Sequence, residues 1–417
     1  MKTPAPAGAR SLYAQLQRTA QTHGDAFYVF EEQVFRQNYA SLRAAFEAQY
    51  PRTQIAYSYK TNYTPHVCRV IHQLGGFAEV VSEMEFGLAR RLGVEGERII
   101  YNGPYKSVAS VRDALQAGTI VNIDSRRDYD IVMAEAAAEP GRKNSVGVRC
   151  NFELPGVARS RFGFDTGGAE FREVTQGLRR SRNVTLAGLH CHFPSRDLES
   201  FGARARGILS IARELFPKPP KFLNLGGGFC GSMPKSLASR QSFKPPTFAD
   251  YAAAIGEPFA KAYGTSGAAP TLFIEPGTAL VANTFKFYAR VISLKEVGSR
   301  KIATVAGSIF NISPQARTPH LPVRVIRQKG DDGPESPAPY DIAGYTCIEG
   351  DYLTRDLIGP VEVGDFVEYR NLGSYSIVMK PPFILPNVPV LSGTGDKAVV
   401  LKRGESIDDL FRTFPGA

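Results

Sequence analysis

The 417-residue chain lacks any uninterrupted apolar run near the roughly 18 residues of a membrane-crossing helix, which excludes a transmembrane helix. Its first 26 residues carry Lys2, Arg10 and Arg18 but no apolar stretch, so no secretory leader is expected and a cytoplasmic location is. Cysteine is scarce. The five (Cys68, Cys150, Cys191, Cys230, Cys347) are odd in number and lack paired spacing, which argues against a disulfide framework and suits a reducing compartment. A basic tract is also missing. Lys and Arg number 50 against 40 Asp and Glu, a net charge of +10, yet Arg90–Arg91, Arg126–Arg127 and Arg179–Arg180 are scattered pairs. A nucleic-acid surface is therefore not expected, and the surplus reads as a solvated face with weak steering of anionic ligands. Apolar residues at 43% and charged residues at 22% are ordinary for a globular chain and exclude disorder, while the length suggests two or three domains.

What the chain does have is a recurrence of short apolar runs separated by helical stretches. The runs are Ile55–Lys60, Ala78–Ser82, Ile99–Asn102, Ile120–Asp124, Val146–Cys150, Leu189–Phe193, Phe222–Leu225 and Leu272–Glu275. Between them, Met84–Leu92, Val108–Gln116, Tyr129–Ala138 and Phe201–Leu215 have helix-forming composition and apolar spacing near 3.6. Eight such units predict a (β/α)8 barrel, whose chemistry sits at the C-terminal ends of its strands. Beyond Pro276 the texture changes to short runs rich in β-branched and aromatic residues: Thr284–Leu294, Lys301–Val305, Leu321–Val325, Val361–Tyr369 and Tyr375–Met379. These predict a C-terminal all-β domain, and Ala26–Glu31 is expected to join it. The expected division is residues 1–35 with the β domain, 36–278 as the barrel and 279–417 as the β domain, with 329–339 as a surface loop.

Reactive side chains fall at the predicted strand ends. Lys60 ends the first run in Y-S-Y-K-T-N, where a desolvated amine is a good nucleophile for a Schiff base, although a lone strand-end lysine is ordinarily a surface residue. Gly226, Gly227 and Gly228 follow the seventh run, where backbone N–H groups can meet a phosphate. Glu275 ends the eighth, as a carboxylate able to hold a protonated ring nitrogen or simply a cap or ion pair. His190 and His192 share one strand face, but no further ligand accompanies them at metal-site spacing, so no metal is expected. His192 can instead stack on an aromatic cofactor, with Ser195 donating to a phosphate and His190 structural. Cys347, in G-Y-T-C-I-E-G-D, is a candidate general acid, or else a buried structural thiol.

Together, in this order over about three quarters of the chain, these motifs resemble the fold-type III pyridoxal-phosphate-dependent decarboxylases, the ornithine and diaminopimelate decarboxylase group. The resemblance implies a barrel plus β domain, bound pyridoxal 5'-phosphate, an amino-acid substrate, and a homodimer whose active sites are shared between subunits. It implies Lys60 as the Schiff-base lysine and Cys347 as the proton donor to the product carbon. It further implies cofactor contacts from Glu79, Arg149, His192, Ser195, Gly226, Gly227, Gly228, Glu275 and Tyr375.

Three departures bear on the substrate. Thr278 stands where the family usually has the arginine of E-P-G-R, with Arg317 as a candidate replacement. Ile348 stands where an acidic residue usually follows the cysteine, and Glu349, one residue on, would point the other way in an extended segment. Ser313–Pro322 also matches the family's substrate-contacting segment poorly. Plain ornithine, lysine or diaminopimelate is therefore not the expected substrate. An acidic or conjugated amino acid of a siderophore or other natural-product pathway is. The alternatives are a racemase or epimerase on the same fold, or a non-catalytic regulatory homologue that binds the cofactor.

Overall fold

A computed structural model of the chain describes residues 7–265, 267–313, 320–329 and 339–415. The chain divides into two compact units. One comprises Arg36–Ser232 and Gln241–Leu280, the other Met1–Phe35, Met233–Arg240 and Val281–Ala417. The unit boundary falls two residues beyond the expected 278, and the polar excursion Met233–Arg240, which carries no sequence signal of its own, groups with the second unit.

The first unit is a closed barrel of eight parallel strands: β1 (Thr53–Ser58), β2 (Phe77–Val80), β3 (Ile99–Tyr101), β4 (Ile120–Ile123), β5 (Asn144–Asn151), β6 (Val184–His190), β7 (Phe222–Asn224) and β8 (Thr271–Ile274). Each pairs with the next, and β8 returns to β1. The strands are buried on both faces, as parallel strands covered by helices must be. Helices Glu83–Arg91, Val108–Gln116 and Arg126–Ala138 begin at Ser82, Ser107 and Ser125, whose hydroxyls accept otherwise orphaned N–H groups of the first turn. All eight predicted runs lie on these strands or reach into the turns that follow them.

Among the described residues, the second unit is a nine-stranded sheet around a buried N-terminal strand. Ala26–Phe30 is apolar throughout and buried on both faces, so it cannot be an edge. It pairs antiparallel with Phe285–Val297 and parallel with Val390–Ser392. Strands Tyr340–Ala343, Tyr352–Leu357, Val390–Ser392 and Val399–Lys402 carried too short a pattern to be predicted. Tyr375–Met379, expected as a strand, is a turn. Tyr375 has φ +64°, a left-handed conformation that breaks an extended run at its first residue, and the Met379 N–H donates to its carbonyl at 3.0 Å. Most of the predicted 329–339 loop lies outside the described residues.

Phe27 is fully buried among Leu16, Tyr288, Ile326, Phe366 and Leu391. Phe27→Ala should cost about 3–5 kcal/mol in denaturant unfolding. A loss below about 1 kcal/mol would contradict the central place of this strand.

Candidate active site

The barrel interior is built in layers, and the period of two along each strand sets their chemistry. Ala56, Phe77, Ile100, Ile120, Ala187, Phe222 and Phe273 come from seven strands yet form one cluster, so they plug the inside. Two residues further along the same faces stand Ser58, Glu79, Asn102, Asn122, Asn224 and Glu275, all buried. Gly147 of β5 makes room at this level, since a Cβ there would lie 2.0 Å from Asn122 Oδ1.

These polar groups form one hydrogen-bonded network. Asn102 Nδ2 donates to Glu79 Oε1 at 2.9 Å and to Glu275 Oε1 at 2.8 Å, bridging two buried carboxylates with its two hydrogens. Asn224 adds a donor to Glu275 at 2.7 Å, and Asn122 donates to Asn102 Oδ1 at 2.7 Å. His190 Nε2 lies 3.4 Å from Glu275 Oε2. Burial alone would raise the Glu275 pKa, but His190, then Lys60 and the Asn102 amide, outweigh it and hold it down to about 2. The balance of these neighbours favours the ionised carboxylate.

Lys60 sits on the single 3-10 turn Tyr59–Thr61 that follows β1. Its Nζ donates to Glu79 Oε2 and to Ser58 Oγ, each at 2.7 Å, and Ser58 Oγ in turn donates to Glu79. The side chain is 39% exposed, so an ion pair at an open mouth surrounds the amine rather than the desolvating pocket the sequence suggested. Two residues beyond Gly147, Arg149 ion-pairs with Asp124 at 3.0 Å, and its guanidinium lies over the Phe162 ring.

His192 Nδ1 accepts the Gly227 N–H at 3.0 Å, which leaves the ring proton on Nε2. Burial, then the charges of Lys60 and Arg149, push its pKa well below the usual value, so the ring is neutral. The Gly226 N–H donates to Asn224 Oδ1 at 2.8 Å. Two of the three glycine N–H groups are thus engaged within the protein. Glycine is needed there for approach: a Cβ at Gly227 would lie 2.4 Å from the Glu275 carbonyl oxygen, and Gly226 has φ +67°. Ser195 Oγ donates to Asp197 Oδ2 at 2.7 Å.

The remaining predicted residues belong to the second unit. Cys347, Ile348 and Glu349 are exposed on a loop organised by buried Asp351, which accepts from Thr346 Oγ1 at 2.7 Å and from the Ile309 N–H at 2.7 Å. The segment turns here, so the alternating geometry assumed for Ile348 and Glu349 does not apply. Tyr375 is half-buried, and Arg317 lies outside the described residues.

The barrel residues fit pyridoxal phosphate. A primary amine, a buried carboxylate, a neutral imidazole and glycines packed without Cβ room converge at one end of the barrel. The model for "Pyridoxal-dependent decarboxylase, pyridoxal binding domain" matches residues 37–282. The chain belongs to this family. It is 26% identical to the diaminopimelate decarboxylase of Aquifex aeolicus over 87% of this chain and 85% of that enzyme. It is 28% identical to that of Bacillus subtilis, over 94% and 92%. The crystal structure of diaminopimelate decarboxylase from Methanocaldococcus jannaschii shares the fold, with TM-score 0.82 at 24% identity over 95% of this chain and 93% of that one. The protein is a pyridoxal-phosphate-dependent carboxy-lyase acting on an amino acid.

Sequence reasoning about this decarboxylase missed Ser58, Asn122, Asp124, Asn224 and Glu85. The period-two position above the apolar plug was the available signal for Ser58, Asn122 and Asn224. Glu85 is buried; its Oε2 accepts the Val81 N–H at 2.8 Å. Burial pushes its pKa from 4.5 up to about 7, with the Val81 N–H opposing and the Glu79 charge adding. A carboxyl raised in this way contributes stability below pH about 4.5 that is lost as the pH rises through about 7. Glu85→Gln should flatten the fall in unfolding free energy between those limits, followed by urea titration at stepped pH. An unchanged slope would remove Glu85 as the titrating group.

Proposed function

We propose that Lys60 is the amine that carries the cofactor and exchanges it with the substrate amine, with Glu79, Arg149, His192, Ser195, Gly226, Gly227, Gly228, Glu275 and Tyr375 holding it. The observation that carries this reading is the Lys60–Glu79–Asn102–Glu275 network. Pyridoxal phosphate, when bound, supplies the electron sink for the pair left behind by CO2. Glu275, favoured as an anion by His190, Lys60 and Asn102 and held in place by Asn102 and Asn224, can keep a proton on a ring nitrogen. Glu79 and Ser58 accept from Lys60 Nζ and so steer its protons and its position. The neutral ring of His192 offers a flat face for stacking, and the Gly227 N–H fixes its tilt. Cys347, whose thiol is exposed, returns a proton to the carbon that lost CO2.

The proposed substrate is an amino acid with an acidic or conjugated side chain. Ile348, in the position after Cys347, offers no carboxylate for a distal amine, and the net charge of +10 suits an anionic substrate. The second reading is diaminopimelate, favoured by the relatives that are decarboxylases of that name. The enzyme is proposed to work in the cytoplasm as a homodimer with shared sites.

CO2 release from a panel holding diaminopimelate, lysine, ornithine and acidic or conjugated amino acids tests this. Turnover of diaminopimelate alone would select the second reading. Cα–deuterium exchange without CO2 would instead indicate racemisation. Cys347→Ala should slow CO2 release or change the product on the order of 100-fold, and an unaffected variant would take Cys347 out of the mechanism. Mixing Lys60→Ala with Cys347→Ala chains should restore a fraction of activity. No recovery after proven subunit exchange would contradict a shared site.

A further inference from the structure

Arg204, on the helix Leu198–Leu215, is a fully buried cation without a carboxylate at ion-pair distance among the described residues. Its Nη1 donates to the Gly227 carbonyl at 3.1 Å, its Nη2 to the Ser195 carbonyl, and its Nε to Ser200 Oγ at 3.2 Å. Its guanidinium lies 4.0 Å from the Phe201 ring centroid. Carbonyls and a ring face satisfy hydrogen-bond geometry, but they do not neutralise a charge taken out of water. The nearby carboxylate, Asp197, already accepts from Ser195 Oγ and from the Ser200 N–H.

The carbonyls that Arg204 holds have a consequence for the peptides that carry them. In a trans peptide the C=O and the following N–H point in opposite directions. Fixing the carbonyls of Gly227 and Ser195 toward Arg204 therefore turns the N–H groups of Gly228 and Arg196 away from it. Among the described residues neither N–H has a hydrogen-bond acceptor. A Cβ built on Gly228 would sit 3.8 Å from Arg204 Nη1, so the guanidinium lies directly behind this loop.

We propose that Arg204 builds the phosphate seat of this enzyme, orienting the Gly228 and Arg196 N–H groups toward the cofactor's phosphate and supplying the buried positive charge behind them. This rests on the proposed location of the cofactor at the glycine loop. Arg204 acts through the loop and is a positioning residue. It takes the part for which Arg317 was the candidate in the sequence. Burial lowers its pKa only to about 10, so it stays charged at neutral pH.

The test separates charge from scaffolding by comparing pyridoxal phosphate with pyridoxal, which lacks the phosphate. Affinities are measured by equilibrium dialysis on the full chain freed of cofactor. Arg204→Met should weaken pyridoxal phosphate binding on the order of 30-fold while changing pyridoxal binding less than about 3-fold, and Arg204→Lys should recover part of the difference. Equal losses for both ligands would make Arg204 a structural residue and overturn the proposal, as would no loss for either. If wild-type chain shows no preference for the phosphorylated ligand, the cofactor location itself fails. Should Arg204→Met not fold, inorganic phosphate is titrated against the wild-type and Arg204→Lys chains. A saturable rise in Tm in both supports the buried charge, and its absence from either overturns it.

Discussion

Two carboxylates buried inside one barrel set the terms for everything around them. Glu79 and Glu275 would repel each other and resist desolvation if left alone. Asn102 resolves this with a single side-chain amide that donates one hydrogen to each. The arrangement works only because β2, β3 and β8 bring residues 79, 102 and 275 to one level, directly above an apolar plug that keeps water out from below. Asn122 then fixes the Asn102 amide, and Gly147 leaves the space that Asn122 needs.

From that layer the mouth follows outward. Glu79 captures the Lys60 amine, Asn224 ties the start of the glycine loop to Glu275, and His192 ties the middle of the loop to β6. The loop is therefore a rigid strap rather than an open cradle. Two of its N–H groups serve its own shape, which leaves the Gly228 N–H, with Arg204 behind it, as the one proposed to meet an anion. Charge is segregated accordingly. The carboxylate of Glu275 lies in the interior layer, and the buried cation Arg204 lies behind the loop, a polarity that suits a ligand with a basic ring nitrogen at one end and a phosphate at the other.

The barrel was legible in the sequence because each strand buried on both faces announces itself as a continuous apolar run, and reactive types at the run ends marked the mouth. Lys60, His192, the glycines and Glu275 stood out in the sequence for that reason, and the structure brings them to one end of the barrel. Ser58, Asn122 and Asn224 did not stand out, since a short polar residue within an apolar run reads as noise until the plug below it is known. Arg204 was invisible for a different reason: on an amphipathic helix an arginine reads as solvent-facing, and only tertiary packing reveals it as buried. In the second unit, short strands with little alternation escaped notice, and Tyr375–Met379 alternated convincingly although its first residue is left-handed. Local pattern carries no information about such a φ.

The proposed chemistry depends first on the Lys60 amine. The purified protein, supplied with pyridoxal phosphate, is scanned for its visible absorption before and after borohydride, and the reduced chain is then mapped by peptide mass. A yellow band that bleaches and a phosphopyridoxyl group on Lys60 are expected. No band, or an adduct on another lysine such as the buried, Asp128-paired Lys106, would contradict the proposed role of Lys60.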